Sequence, residues 1–267
     1  MLLTEATAPP YHLRRGSSPL IVSIPHAGTL IPASIARTLT DAAAMRTDTD
    51  WHLPRLYDFL GALDATVIAA THSRYVMDLN RPRDDANLYP GQDTTGLCPV
   101  DTFDRRALYR NGPPDRKEIE RRIARYWEPY HLRLAAEIAR VKAEHGRVVL
   151  WDAHSIVGVA PRFFEGRLPD LNFGTADGKS CAPGFSATIA SMAARHPYSH
   201  VLNGRFKGGY ITRRYGDPSN GVQAIQLEMV QAIYMDERAP YPFREDLAAR
   251  IRPVLRVLLE TASGWAE

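Results

Sequence analysis

The sequence predicts an α/β fold: a single domain over residues 1–267, built on a mixed, mostly parallel sheet with helices on both faces. Three observations carry that expectation. Apolar runs of strand length alternate with stretches of helical periodicity. No internal repeat, low-complexity segment or linker composition divides the chain. At 267 residues it is long enough for one large, well-buried core.

The first run, Pro19 to Ile24, reads as a buried strand that stops at Pro25-His26. Ile31 to Leu39 reads as a short helix. Trp51 to Leu63 reads as a longer one, with Asp50 as its N-cap, Pro54 in the first turn, and Leu53, Leu56, Phe59, Leu60 and Leu63 on one apolar face. Ala65 to Ala70 and Tyr75 to Leu79 read as strands. Between Asn80 and Pro114 lies a polar stretch long enough to suggest a lid or binding loop. Asp115 to Glu144 has helical character, with Pro129 placed to kink or divide it. Arg147 to Trp151 is the next strand, and it runs into "WDAHS". Val157 to Pro183 reads as irregular, Phe185 to Arg195 as helical, and Val201 to Tyr210 as ambiguous. Val222 to Met229 is the last strand, and Arg244 to Thr261 a closing amphipathic helix.

Composition excludes several classes. A formal charge of +3 is too small to imply nucleic acid or an anionic membrane, and no stretch approaches the roughly 20 apolar residues that span a bilayer. The start, MLLTEATAPPYHLRRG, has no basic segment followed by a long apolar run, so a cytoplasmic location is expected. Cys98 and Cys181 form neither a disulfide framework nor a CxxC motif. The cations are mostly arginine, suited to bidentate capture of small carboxylates or phosphates. Oligomeric state is not readable.

Ligands of open α/β sheets sit at the carboxyl ends of strands, where loops converge. Four such ends carry chemistry here: His26, the segment Arg74 to Arg81, His154 and Glu228. Catalytic zinc takes three protein ligands and a water. His26 and His154 are two candidates, and "TDTDW" offers Asp48 and Asp50 as a third. Asp152, two residues before His154, either orients that imidazole or caps the following turn. Glu228 ends an apolar strand, where an unpartnered carboxylate is costly. "SRYVMDLNRPR" brings Arg74, Asp78, Asn80 and Arg81 together, and "KGGYITRRYG" places Arg213 and Arg214 after two glycines. There is no GxSxG, Walker loop or GxGxxG. Ser155 stands beside His154, but adjacent strand residues face opposite ways.

The segments "IPHAG", "RTDTDWHLPRLYDFL", "SRYVMDLNRPRDDANLYP", "DAHS" and "KGGYITRRYGDPSNGVQAIQLEM" together resemble the N-formylglutamate amidohydrolase family, from about residue 20 to about residue 235. The resemblance implies hydrolysis of N-formyl-L-glutamate to formate and L-glutamate late in bacterial histidine breakdown. It also implies a fold similar to zinc carboxypeptidases and the aspartoacylase group. By that comparison His26 and His154 hold zinc, or another divalent metal that N/O sites accept. The acidic ligand of the aspartoacylase group lies three residues after the first histidine, where this chain has Thr29. Asp50 is therefore the expected third ligand and Asp48 the reserve. Arg74 is expected to polarise the scissile carbonyl, Asn80 and Arg81 to grip a carboxylate, and Glu228 to act as general acid/base. The substrate is a dicarboxylate, so Arg213 or Arg214 is expected as a second cationic anchor. An N-acyl-amino-acid deacylase, a zinc carboxypeptidase, and a non-catalytic carboxylate-binding protein are the competing readings.

Overall fold

A computed structural model describes residues 8–265. Residues 1–7, where the sequence reads no leader, and residues 266–267 lie outside the described residues. Seven strands, β1 (Tyr11–Arg14), β2 (Leu20–Ile24), β3 (Thr66–Ala70), β4 (Val148–Ile156), β5 (Leu171–Gly174), β6 (His200–Leu202) and β7 (Val222–Val230), form one sheet among the described residues. Their order is β1-β3-β2-β4-β7-β5-β6. The central strands β3, β2, β4 and β7 are parallel. β1 runs antiparallel to β3, and the parallel pair β5–β6 runs antiparallel to β7. The sheet is mixed and mostly parallel, as the alternating pattern predicts.

The helices are α1 (Ala33–Ala36), α2 (Asp41–Ala44), α3 (Leu53–Leu56), α4 (Arg116–Arg122), α5 (Glu128–His145), α6 (Pro183–Ala193), α7 (Tyr210–Tyr215) and α8 (Glu245–Gly264). One face of the sheet packs with Tyr130, Leu134 and Val141 of α5, and the other with α6, α8 and the leucines of α3. Pro253 lies inside α8, a substitution for helix-forming residues that costs about 3 kcal/mol. Burial of Ile251, Val254, Leu255, Leu258 and Leu259, at about 1.5–3 kcal/mol for each large aliphatic side chain, outweighs it.

Several elements differ from the sequence reading. β4 does not stop at Trp151 but continues through Asp152-Ala153-His154-Ser155 to Ile156. Tyr75 to Leu79 is no strand: Asp78 and Asn80 divert the backbone locally, the Asn80 N–H donating to Asp78 Oδ1 at 2.8 Å, which competes with a ladder. The segment is nonetheless buried throughout. Trp51 to Leu63 breaks into α3 and a 3₁₀ turn at Asp58–Gly61. Its cap is His52, at φ 62°, and not Asp50, whose carboxylate is used elsewhere. The helix expected over Ile31 to Leu39 is the single turn α1. β5 crosses a stretch that reads as irregular, and β6 resolves the ambiguous one. Asp115 caps α4: its side chain accepts from the Glu118 N–H at 2.7 Å. Ahead of Pro129 the chain makes a π-turn, Ile123–Trp127, which separates α4 from α5. Among the described residues no helix is long and apolar enough to cross a membrane.

Candidate active site

Alternation along two strands builds one wall of the site. On β4, Val148 and Leu150 belong to the core on the α5 face; on β7, Val222 and Ala224 do the same. Alternate residues share a face, so Asp152 and His154, and Gln226 and Glu228, continue it toward the strand ends. Trp151, Ala153, Ile225, Leu227 and Met229 turn into the opposite core. One face thus changes from hydrophobic packing to chemistry midway along each strand. The parallel register sets Asp152 beside Gln226 and His154 beside Glu228. Ser23 of β2, in register with Asp152, donates to its Oδ1 at 2.9 Å.

His26 follows β2, and the Asp50 N–H donates to its carbonyl at 3.1 Å, which draws a distant loop to the strand end. The two imidazole rings lie 4.8 Å apart between centroids. Each points Nδ1 at the same oxygen, Asp50 Oδ2, at 3.7 Å for His26 and 3.1 Å for His154. The Nε2 atoms are occupied on their far sides: His26 by Asp78 Oδ1 at 2.7 Å, and His154 by Asp152 Oδ2 at 3.0 Å and the Asn80 side chain at 2.9 Å. Carboxylates on the outer nitrogens of two histidines fix tautomer and ring orientation, as metal sites require. His26, Asp50 and His154 are the one group of potential metal ligands among the described residues, with ligand atoms all within 4.8 Å. Tetrahedral ligands about 2.0–2.1 Å from an ion stand roughly 3.4 Å from each other. The 3.1 and 3.7 Å separations bracket that spacing, and a mixed N/O set suits zinc or a similar divalent ion.

The charges agree with this geometry. Burial lowers the His26 pKa, joined by the Arg74 charge and opposed by Asp78 and Asp50, so the ring stays neutral and ligand-competent. Burial also works to lower the His154 pKa, but Asp152, Asp50 and Glu228 outweigh it and hold the pKa well above the ordinary histidine value. The carboxylates draw positive charge onto this spot, a demand met by a proton or a metal ion. Glu228 is 9% exposed. Burial pushes its carboxyl up to about 8, against the pull of His154 and with the push of Asp50.

These groups open onto a pocket whose walls include His26, Arg74, Asn80, Arg81, His154 and Glu228. Arg74 Nη2 donates to Asp78 Oδ2 at 2.7 Å, its Nη1 lies 3.7 Å from Asp50 Oδ1, and its Nε is buried without a partner. Asn80 joins two motifs. Its Nδ2 reaches His154, and its Oδ1 accepts the Ile211 N–H at 2.8 Å. A Cβ on Gly209 would meet Asn80 Nδ2 at 2.3 Å, so glycine there is what lets "KGGY" approach.

Asp48, the reserve ligand, points away from the histidines; its Oδ2 accepts the Phe103 N–H at 2.9 Å and its Oδ1 the Thr47 hydroxyl at 3.0 Å. Ser155 turns its hydroxyl to Tyr234 at 2.7 Å. Arg213 and Arg214 are not brought to the pocket. Arg213 donates to the Gly208 carbonyl and covers the Tyr89 ring, while Arg214 is exposed above Tyr215. Being consecutive on the short helix α7, they cannot both face inward, and neither does. The sequence reading missed the role of Asp78, although it sits within the arginine cluster, and it missed Arg205 altogether, which lines the pocket from the loop after β6.

Known proteins resemble this chain over most of its length. The family model for N-formylglutamate amidohydrolase matches residues 18–235. A Pseudomonas aeruginosa protein named N-formylglutamate deformylase is 52% identical over 94% of this chain and 95% of its own length. A Pseudomonas putida protein of the same name is 46% identical, covering 94% of each. Among solved structures, an N-formylglutamate amidohydrolase from Ralstonia eutropha JMP134 superposes with a TM-score of 0.82 at 26% identity, covering 96% of this chain and 97% of its own. A gene product of Agrobacterium tumefaciens shares the fold, with a TM-score of 0.73 at 19% identity over 97% of this chain and 96% of its own.

Proposed function

Since the chain belongs to the N-formylglutamate amidohydrolase family, it hydrolyses N-formylglutamate to formate and glutamate, and we propose that His26, Asp50 and His154 hold a zinc ion for this reaction. The observation that carries the proposal is the convergence of His26 Nδ1, Asp50 Oδ2 and His154 Nδ1 in register with Glu228. When bound there, a divalent ion supplies Lewis acidity at the formyl oxygen and a lowered pKa for the attacking water.

The protein's own groups do the rest. Glu228, in register with His154, in its ionised form takes a proton from the water as the water oxygen bonds to the formyl carbon. It returns that proton to the amide nitrogen as the C–N bond breaks, because an unprotonated amide nitrogen is a poor leaving group. Arg74, fixed between Asp78 and Asp50, stabilises negative charge developing on the formyl oxygen. Asp78 and Asp152 hold the imidazoles in the ligand tautomer. Asn80, whose Nδ2 donates to Asp152 Oδ2 at 3.2 Å, orients the carboxylate that holds His154, and Arg81 holds a substrate carboxylate. The reading includes one catalytic domain over residues 1–267, working in the cytoplasm in histidine breakdown.

The test is formate release from N-formyl-L-glutamate with and without a chelator. We expect turnover that the chelator abolishes and added zinc restores. Unchanged turnover by protein shown to be metal-free in elemental analysis overturns the metal assignment.

A further inference from the structure

The pocket lining contains two guanidinium groups to which no carboxylate is bonded, Asp93 acting on Arg205 and Asp78 on Arg81 only through space. Arg81 donates from Nε to the Thr95 carbonyl at 2.6 Å, from Nη2 to the Thr95 hydroxyl at 3.1 Å and from Nη1 to the Asn80 carbonyl at 3.0 Å. Arg205 donates from Nε to the Phe163 carbonyl at 2.6 Å and from Nη2 to the Asp93 carbonyl at 3.0 Å. Among the described residues every acceptor of these two side chains is a neutral oxygen, whereas Arg74 is paired with Asp78. Carbonyls aim a guanidinium without cancelling its charge. Two such cations half-buried in one pocket carry a desolvation cost that an anionic ligand relieves.

Arg205 is also held rigidly. Its guanidinium carbon lies 5.5, 5.8 and 5.4 Å from the ring centres of Tyr89, Phe163 and Phe206. The two loops that supply its carbonyl partners are cross-linked by Arg162, which is 7% exposed on its side chain. Arg162 Nη1 meets Asp101 Oδ1 at 2.7 Å and the Thr102 carbonyl at 2.8 Å, and its Nη2 meets Asp93 Oδ1 at 3.1 Å. Three segments remote in sequence thus fix one cation that has no bonded carboxylate, the preorganisation expected of a recognition group.

The two arginines differ in how they connect to the reacting centre. Arg81 adjoins Asn80, which touches His154, so it stands close to the reacting centre. The hydrogen-bond and ring partners of Arg205 are Asp93, Phe163, Tyr89 and Phe206, all in loops, and none of them is a candidate metal ligand or Glu228. In an N-acyl acidic amino acid the α-carboxylate sits on the carbon bearing the scissile nitrogen, and the side-chain carboxylate lies farther out. Resting on the proposed reading of the site, we propose that Arg205 is the specificity residue that binds the side-chain carboxylate of the substrate, while Arg81 takes the α-carboxylate. This assigns to Arg205 the second anchor that the sequence suggested for Arg213 or Arg214.

The experiment compares N-formyl-L-glutamate with N-formyl-L-glutamine, which replaces the side-chain carboxylate by a neutral amide, on wild type, Arg205→Gln and Arg205→Lys. Arg205→Gln should lose about 10- to 100-fold in kcat/KM on N-formylglutamate, chiefly through KM, the scale of one charge-assisted contact. The same variant should change less than about threefold on N-formylglutamine, and Arg205→Lys should fall between. A purely structural role, in which the loops loosen, lowers both substrates together and overturns the proposal, as does no effect on either. Calorimetric titration of glutarate decides the anchor without turnover: if wild type releases no formate, the reading of the site fails. The anchor itself stands if Arg205→Gln still weakens glutarate at least 10-fold, and falls if it does not.

Discussion

The two walls of the pocket are built by different means. On one, His154 and Glu228 are neighbours in the β4–β7 ladder, and their separation is set by backbone hydrogen bonds in the middle of the sheet. On the other, Arg81 and Arg205 project from loops that are held by side-chain cross-links, above all Arg162 with Asp93 and Asp101. The contrast separates two tasks. Bond breaking takes its placement from regular structure, whereas substrate capture takes its anchors from loops pinned together by ion pairs.

Changes on the strand side should therefore strike the chemical step, and changes on the loop side the capture step. Replacing Glu228 with Gln should have the largest effect, a fall in kcat of about 10³-fold, with unchanged thermal unfolding and unchanged metal content. Formate release measured beside elemental analysis checks it, and near-normal turnover removes Glu228 from its role. Replacing Arg162 with Met should act on the other wall: KM for N-formylglutamate should rise about 10-fold while kcat moves less than threefold. A kcat loss equal to the KM effect would show that the loops also place the reacting groups, and the division drawn above would fail.

The smallest expected effect concerns how the loop side is pinned to the helices. His131 of α5 bonds the Leu79 carbonyl at 2.9 Å and the Tyr215 hydroxyl at 2.9 Å, next to Asn80 and Arg81. Burial pushes its pKa down to about 4. The folded protein thus favours the neutral ring, so its contribution is complete above the unfolded value of about 6.5 and is lost as pH falls through about 4. The window is worth about 3 kcal/mol at most. Unfolding temperatures taken from pH 7 to pH 4 should drop more steeply for wild type than for His131→Gln, and parallel curves would dismiss the assignment.

The strand wall was legible in the sequence because its signal is local. "LIVSIPH", "VVLWDAH" and "AIQLE" each show an apolar run giving way to ionisable residues, and alternation then predicts a common face. Asp50 was legible only as one of two acids, since nothing local says which carboxylate the loop turns inward; the structure turns Asp50 to the histidines and Asp48 to Phe103. Arg205 left no local trace. It sits alone in "LNGRFKGG", and its surroundings come from Phe163 and Asp93, distant in sequence. The doublet Arg213-Arg214 offered the stronger pattern and the weaker placement. Tyr75 to Leu79 misled differently: burial on all sides imitates a central strand, while the Asp78 and Asn80 side chains compete for the backbone.

The continuation of β4 through His154, paired along its length with β7, has an evolutionary corollary. Since neighbouring side chains on a strand point to opposite sides, losing one residue from either ladder upstream of the site would rotate an essential group through the sheet and bury it among the aliphatic residues behind. The surrounding loops face no such parity constraint, so lineages can lengthen or trim them and alter which molecule is admitted. Insertions and deletions that survive in relatives should therefore accumulate around the rim, leaving the spacing from Val148 to His154 and from Val222 to Glu228 untouched.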